Sequence, residues 1–402
     1  MRSFAPLLAL VFIPCALPVS WAAQPPKELY SRLVSSKILA TARDRRDGKS
    51  YPHNTDQVNG IWNYVGTDWW TSGFFPSTLY SMNRRSELCP TTVDKVDWVN
   101  LGQVWSADLT RLLIRNSVGH DIGFISFPFV DELTIHPNNE TTAEIIEGFS
   151  DILAKRFDRT VGCTRSRDSS GTNFQVIIDN MMTLDLFFVA SRLTGNKTLI
   201  DMAISHADKT IEHHIRPDGS SYHVVEYDSS TGRVIRRRTA QGYADESTWT
   251  RGQAWGMLGF TNMYRRTELE RYLQTARRMS KLFISRMPPS GVVPWDFDAP
   301  IDPPRPADVS AANLAAYALL TLSEQESGIN NSTGAKYYAD AAVKLLADTV
   351  NLAWRPSWRS LFSNGTINKP SDDYWTGIVY ADYYLVESGN KLLEMGLGGC
   401  SL

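Results

Sequence analysis

An all-α fold of six helical hairpins closed into a ring, carrying one small β-hairpin, is the architecture that the sequence predicts. Three observations point there. Apolar residues recur at three- and four-residue spacing in about a dozen segments. Those segments follow one another in pairs. No linker, low-complexity run or break in composition divides the 402 residues, so a single domain is expected over 24–402.

The helical segments fall at roughly 27–45, 71–83, 92–116, 122–132, 140–157, 180–194, 197–214, 250–266, 268–287, 308–325, 335–351 and 376–395, with ends uncertain by ~2–4 residues. Between the seventh and eighth lie "SSYHVVEYD" and "RVIRRRTAQ", strand-like runs joined by the turn residues "SSTG". They are the expected hairpin.

Residues 1–23 stand apart. "MRSFAPLLALVFIPCALPVSWAAQ" has a basic start, an apolar run from Phe4 to Val19 and small residues from Ser20 to Ala23. That is the pattern of a secretory signal peptide, and the run is short for a membrane span. Sequons at Asn139, Asn196, Asn330, Asn331 and Asn364 fit a secreted, extracellular glycoprotein. Cys89, Cys163 and Cys400 remain after residue 23, enough for one disulfide and one thiol. No later segment is apolar for long enough to cross a bilayer, and a net charge of −2 argues against nucleic acid as a partner. No Cys or His cluster has zinc-ligand spacing, so no metal is expected. The sequence leaves the oligomeric state open.

The connections carry a distinct composition. "TDWWTSGFFPS", "GHDIGF", "DGSSYHVVEYD", "QGYADESTWTRGQAWG" and "GVVPWDFDAP" concentrate Trp, Tyr, His, Gln and Arg. Aromatic faces stack on sugar rings while amides and hydroxyls orient them, which is the composition of a saccharide cleft. Core packing explains any single tryptophan. It does not explain so many in polar, loop-adjacent company.

One carboxylate sits in unusual surroundings. In "VIIDNMMTLDLFFVASRLTG" (176–195), Asp179 lies between two isoleucines and two methionines. Read alone, it is the N-cap of a helix over Asn180–Arg192, although a capping box would want Glu or Gln where Met182 or Thr183 stands. The other reading is a carboxyl kept dry enough to hold a proton near neutral pH.

Several longer motifs turn the balance. "IIDNMMTL", "HADKTIEHHIRPDGSSYHVVEYD", "ADESTWTRGQAW", "PWDFDAP" and "DVSAANLAAYALLTL" resemble glycoside hydrolase family 88, the unsaturated glucuronyl hydrolases, in order from about Asp68 to Asp382. The resemblance implies an (α/α)6 barrel. It also implies removal of a 4,5-unsaturated glucuronyl residue from the non-reducing end of oligosaccharides made by polysaccharide lyases, without an organic cofactor. The related family 105, acting on unsaturated rhamnogalacturonides, resembles "RGQAW" and "YHVV" less well. A conventional inverting glycosidase on the same barrel, or a non-catalytic carbohydrate-binding protein, is the alternative from another class.

The family pattern places its acid/base aspartate in Asp-x-Met-Met, here Asp179, and a second essential aspartate in Asp-x-Gly-Phe, here Asp121. Two close carboxyls cannot both ionise cheaply, so Asp121 and the apolar flanks act to raise the pKa of Asp179, while a helix N-terminus would act to lower it. His223 and Gln241 correspond to substrate-contacting positions. Arg251 and Trp255 lie four apart and hence on one helix face, Arg to hold the uronate carboxylate and Trp to stack on the ring. The structural alternative for Arg251 is an ion pair with Asp245. Trp70 and Trp249 are expected cleft walls, and Asp296 and Asp298 either loop-fixing carboxylates or ligands, but not catalysts. Family members that accept sulfated fragments carry a hydroxyl-and-lysine motif near the C-terminus, matched loosely here by Ser363, Thr366 and Lys369.

Overall fold

The computed structural model describes residues 24–44, 49–168, 173–302 and 305–400. The expected signal peptide, 1–23, lies outside the described residues. The described helices are α1 (Arg32–Arg43), α2 (Phe74–Leu88), α3 (Trp98–Ser106), α4 (Ile122–Ile125), α5 (Phe127–Ile135), α6 (Glu140–Ala154), α7 (Asp185–Thr194), α8 (Thr198–His213), α9 (Thr250–Thr267), α10 (Glu270–Ser285), α11 (Val309–Gly328), α12 (Ser332–Ala353) and α13 (Val379–Glu394).

They alternate between an outer and an inner layer. Helix α2 packs on α5, α9 on α11, α11 on α13, and α13 back on α2, while α3, α6, α8, α10 and α12 flank them from outside. The α7 sector meets α9 through a 3-10 turn at Ile178–Met182. The inner helices therefore close on themselves, giving the (α/α)6 barrel. Alanine-rich α11 shows why the ring can be tight: Ala311, Ala312, Ala315, Ala316 and Ala318 are all buried, and a methyl side chain keeps neighbouring backbones close at no rotamer cost. Cys89 at the end of α2 and Cys400 beyond α13 form a disulfide across the seam where the ring closes (Cα–Cα 5.5 Å), and Cys163 is a buried free thiol.

Caps set many of the helix starts. Ser31, Asp97, Asn139, Asp308 and Asn331 each accept a backbone N–H of the first turn. Where observed helices differ from the predicted segments, the cause is local. The segment at 92–116 tightens after Ser106 into a 3-10 helix, Ala107–Leu113, which buries Leu109 and Leu112 at its three-residue repeat. The segment at 122–132 breaks between Ile125 and Phe127, because Pro128 has no N–H to give a continuous helix.

Strands are more numerous than the single hairpin expected. That hairpin exists, as the β6 and β7 strands below, but among the described residues it is joined by others. The strands are β1 (Ser50–Thr55) with β2 (Trp62–Gly66), β3 (Phe157–Asp158) with β4 (Cys163–Thr164), a sheet of β5 (Asn173–Ile177), β6 (Val224–Asp228) and β7 (Val234–Arg238), and β8 (Gly365–Asn368) with β9 (Asp373–Thr376). β1–β2 precede α2, β5 precedes α7, and β8–β9 precede α13. They decorate the connections that enter the inner helices, and these connections gather at one mouth of the barrel.

Candidate active site

Five of those connections line a cleft of about 290 Å³. Trp69 and Trp70 come from the stretch before α2, His120 and Asp121 from before α4, and Arg167, Ile177 and Asp179 from before α7. Gln241, Trp249 and Arg251 lead into α9, and Ile367 and Asn368 lie on the approach to α13. The N-terminal ends of inner helices face this mouth, and their dipoles favour a negatively charged ligand there.

The sheet places the central acid. Ile177 at the end of β5 pairs with Val224 at the start of β6, and Ile178 N–H donates to the His223 carbonyl (2.9 Å). Asp179 and His223, each just beyond the paired segment, are thereby neighbours: Asp179 Oδ2 lies 3.6 Å from His223 Nε2. Asp179 sits inside the 3-10 turn and not at a helix N-cap, so the capping reading is overturned. Glycine brings the second acid close. A Cβ at Gly123, two residues after Asp121, would overlap Thr183, so the segments that carry Asp121 and Asp179 touch at backbone distance.

The two imidazoles are set in opposite senses. His120 Nδ1 donates to the Ser166 carbonyl (2.8 Å), which leaves Nε2 bare, 3.2 Å from Asp121 Oδ1. His223 Nδ1 instead accepts from Gln241 N–H (3.3 Å), so its proton is on Nε2, facing Asp179. Burial keeps both rings neutral, His120 pushed down to about 4 and His223 well below its ordinary value. Burial acts on the acids with opposite sign. It pushes Asp179 up to about 6, with the Asp121 charge adding and His120 and Arg251 opposing. Asp121 rises to about 7 through burial, against the nearby Arg167 and Arg156. The site can thus hold one or two protons on carboxyls close to neutral pH.

Several residues expected at the site occupy it differently. Gln241, Trp249 and Trp70 line the cleft as predicted. Trp255 does not. It is fully buried one turn deeper on α9, with its ring 5.4 Å from that of Phe124 and 5.8 Å from that of Tyr384, so it cannot stack on a sugar. Arg251 is held by the protein itself. Its NH1 donates to Asp308 (2.6 Å) and the Thr366 carbonyl (2.5 Å), and NH2 donates to the Ile367 carbonyl (2.6 Å) and Gln241 Oε1 (3.3 Å). Its ion-pair partner is Asp308 and not Asp245, which pairs with Arg236. Trp249 stacks beneath the Arg251 guanidinium, 4.6 Å away.

Asp296 accepts from Tyr243 N–H, Ser247 Oγ and Asp298 N–H, and Asp298 pairs with Arg286, so both fix loops. Ser363 Oγ bonds Asn364, Thr366 Oγ1 bonds the Ala307 carbonyl, and Lys369 pairs with Asp372. Sequence reasoning missed Trp69, His120, Arg167 and Asn368 as cleft residues. His120 adjoins Asp121 in "HDIGF" and was legible there.

No protein-family model matches the chain. The chain is 33% identical over 348 residues to the unsaturated glucuronyl hydrolase of Formosa agariphila, which covers 84% of each. It is 31% identical over 303 residues to the unsaturated glucuronyl hydrolase of Bacillus sp. strain GL1, covering 74% of this chain and 78% of the relative. The crystal structure of an unsaturated glucuronyl hydrolase specific for heparin matches with a TM-score of 0.81 at 28% identity, over 94% of this chain and 98% of that one. Sequence relatives over most of the chain and a shared barrel agree: this chain belongs to the unsaturated glucuronyl hydrolases, glycoside hydrolases of family 88.

Proposed function

We propose that the protein removes the 4,5-unsaturated glucuronyl residue from the non-reducing end of lyase-generated oligosaccharides by hydrating the C4=C5 enol ether. The observation that carries this reading is the pairing of Asp179 and Asp121, lifted to about 6 and about 7, at an aromatic-walled cleft. In the proposed reaction the Asp179 carboxyl gives its proton to C4, and the double-bond electrons form the new C–H bond. The oxocarbenium-like centre at C5 takes water, whose proton passes to the Asp179 carboxylate. The resulting hemiketal opens and expels the rest of the saccharide. His223 Nε2–H faces the carboxylate that this cycle generates, and Asp121 stands beside it with the bare His120 nitrogen in reach.

Relatives point to glycosaminoglycan fragments as the substrate source: the Bacillus enzyme's structure is described as responsible for glycosaminoglycan degradation. Ser363 and Thr366 are buried and hydrogen-bonded within the protein, which supports a preference for an unsulfated sugar beside the uronate. The leader-like residues 1–23 and the Cys89–Cys400 disulfide support secretion into an oxidising compartment. Asn196 and Asn330 are exposed sequons able to carry glycan. Asn139 and Asn331 already use their amides to cap helices and bond Glu132 and Glu326, and Asn364 is only half exposed.

Loss of the enol-ether absorbance, followed on a panel of lyase-generated disaccharides, tests the reaction. Absence of any decrease on every uronate substrate would sink it.

A further inference from the structure

The cleft holds two arginines, and their situations are opposite. All four amino hydrogens of Arg251 are taken by Asp308, Thr366, Ile367 and Gln241, only its Nε–H lacks a partner among the described residues, and the residue is 2% exposed. Arg167 is exposed at the rim, and its guanidinium has no ion-pair or hydrogen-bond partner among the described residues. The neighbouring acid is not available to neutralise it, because Asp168 pairs with Arg156 (3.0 Å). A free cation at the rim of a cleft is a poor structural element. It is a good receptor for an anion.

Its position is set by backbone. Arg167 bridges Gln175 of β5, and Ser166 N–H donates to the Gln175 carbonyl (2.8 Å). Residues opposite one another in such a pair project to the same side, as does the residue two further along. Ile177 is that residue, and it lines the cleft with Arg167. The charge of Arg167 reaches Asp121, His120 and His223, the groups around the reacting ring.

We infer that Arg167 binds the carboxylate of the unsaturated uronate, the role that sequence motifs assign to Arg251. The inference rests on the proposed reaction. The substrate's one obligatory charge is the carboxylate on C5, next to the double bond that Asp179 must reach. In the cleft, two carboxyls surround that charge, and among the described residues Arg167 is the cation whose whole fork of donors is free, whereas Arg251 keeps only its Nε–H unpartnered. A planar guanidinium grips a carboxylate with two parallel N–H bonds.

Steady-state kinetics on an unsaturated uronyl disaccharide and on its uronate methyl ester provide the test. Arg167→Gln should raise KM for the acid by about 10- to 100-fold with kcat changed little, the loss expected of a charged hydrogen-bonded contact. The same substitution should leave KM for the ester close to the wild-type value, and Arg167→Lys should recover part of the loss on the acid. Equal losses on acid and ester, or no loss on either, would overturn the assignment while leaving the reaction standing. A loss confined to substrates sulfated on the neighbouring sugar would overturn it too, by giving Arg167 to the sulfate. A wild-type enzyme that turns over neither substrate would remove the reaction itself.

Discussion

Asp179 Oδ2 and His223 Nε2 lie 3.6 Å apart, and neither atom has a hydrogen-bond partner among the described residues. An unpaired buried donor facing an unpaired buried acceptor is expensive in a resting fold. It suits a cleft that a third group, the substrate or a water, enters between them. The Gln241 backbone fixes the imidazole proton on the side of the acid, and burial holds the ring neutral, so Nε2–H is an available donor facing that gap whatever the protonation state of Asp179.

Asp179→Asn should lower turnover by roughly 10²- to 10⁴-fold, the usual worth of a positioned general acid. The same change should stabilise the fold at alkaline pH. The folded-state pKa is raised to about 6, so the stability tied to this group is complete below its unfolded value and is lost as pH rises through about 6. Asn never ionises. Thermal unfolding should show the variant ahead by up to about 3 kcal/mol near pH 8 and level with wild type near pH 3. A variant no more stable at alkaline pH would mean that Asp179 is not desolvated.

Activity should decline as pH rises through about 6 to 7, because the proton donor is then lost. Asp121 raises Asp179 by its charge, so Asp121→Asn should impair turnover and move this descending limb of kcat/KM to lower pH. An impaired variant whose limb stays in place would show that the two acids are uncoupled.

Arg251→Ala should destabilise by about 3–5 kcal/mol, since it leaves Asp308 as a buried uncompensated charge. Arg251→Lys should not rescue, because a single ammonium cannot span Asp308, Thr366, Ile367 and Gln241 together. Chemical denaturation measures both. An Arg251→Ala protein of wild-type stability with a raised KM would return the arginine to substrate binding.

How far the sequence carries is visible in these residues. The helical period and pairing were enough for the barrel, and the motifs around Asp179 and Asp121 marked both acids. Failures came where position along an inner helix matters. Four residues separate Arg251 from Trp255, a rise of about 6 Å along the axis. That step takes the tryptophan from the mouth into a core buried all round, so a shared helix face could not tell cleft from interior. The Asp308 partner of Arg251 is 57 residues away, with no local pattern to announce it. Arg167 lies in no motif, and β5 is too short at five residues to declare itself by alternation.

Cys400→Ser should lower stability by about 2–4 kcal/mol, because the Cys89–Cys400 disulfide closes a long loop of 311 residues across the α2–α13 seam. Turnover of the folded variant should be unchanged, since the seam residues are not among those lining the cleft. Calorimetry and steady-state kinetics on the same preparation separate the two effects. A drop in kcat at a temperature where the variant is fully folded would tie the seam to the site.

The central claim is that the enzyme hydrates a double bond and that cleavage of the glycosidic link follows. Turnover in heavy water and in oxygen-18 water, read by NMR and mass spectrometry of the released uronate, tests it most directly. The account predicts deuterium at C4 and oxygen-18 at C5. Oxygen-18 found only at C1, with the enol ether intact in the product, would contradict it and make Asp179 and Asp121 the acid and base of an ordinary glycosidase.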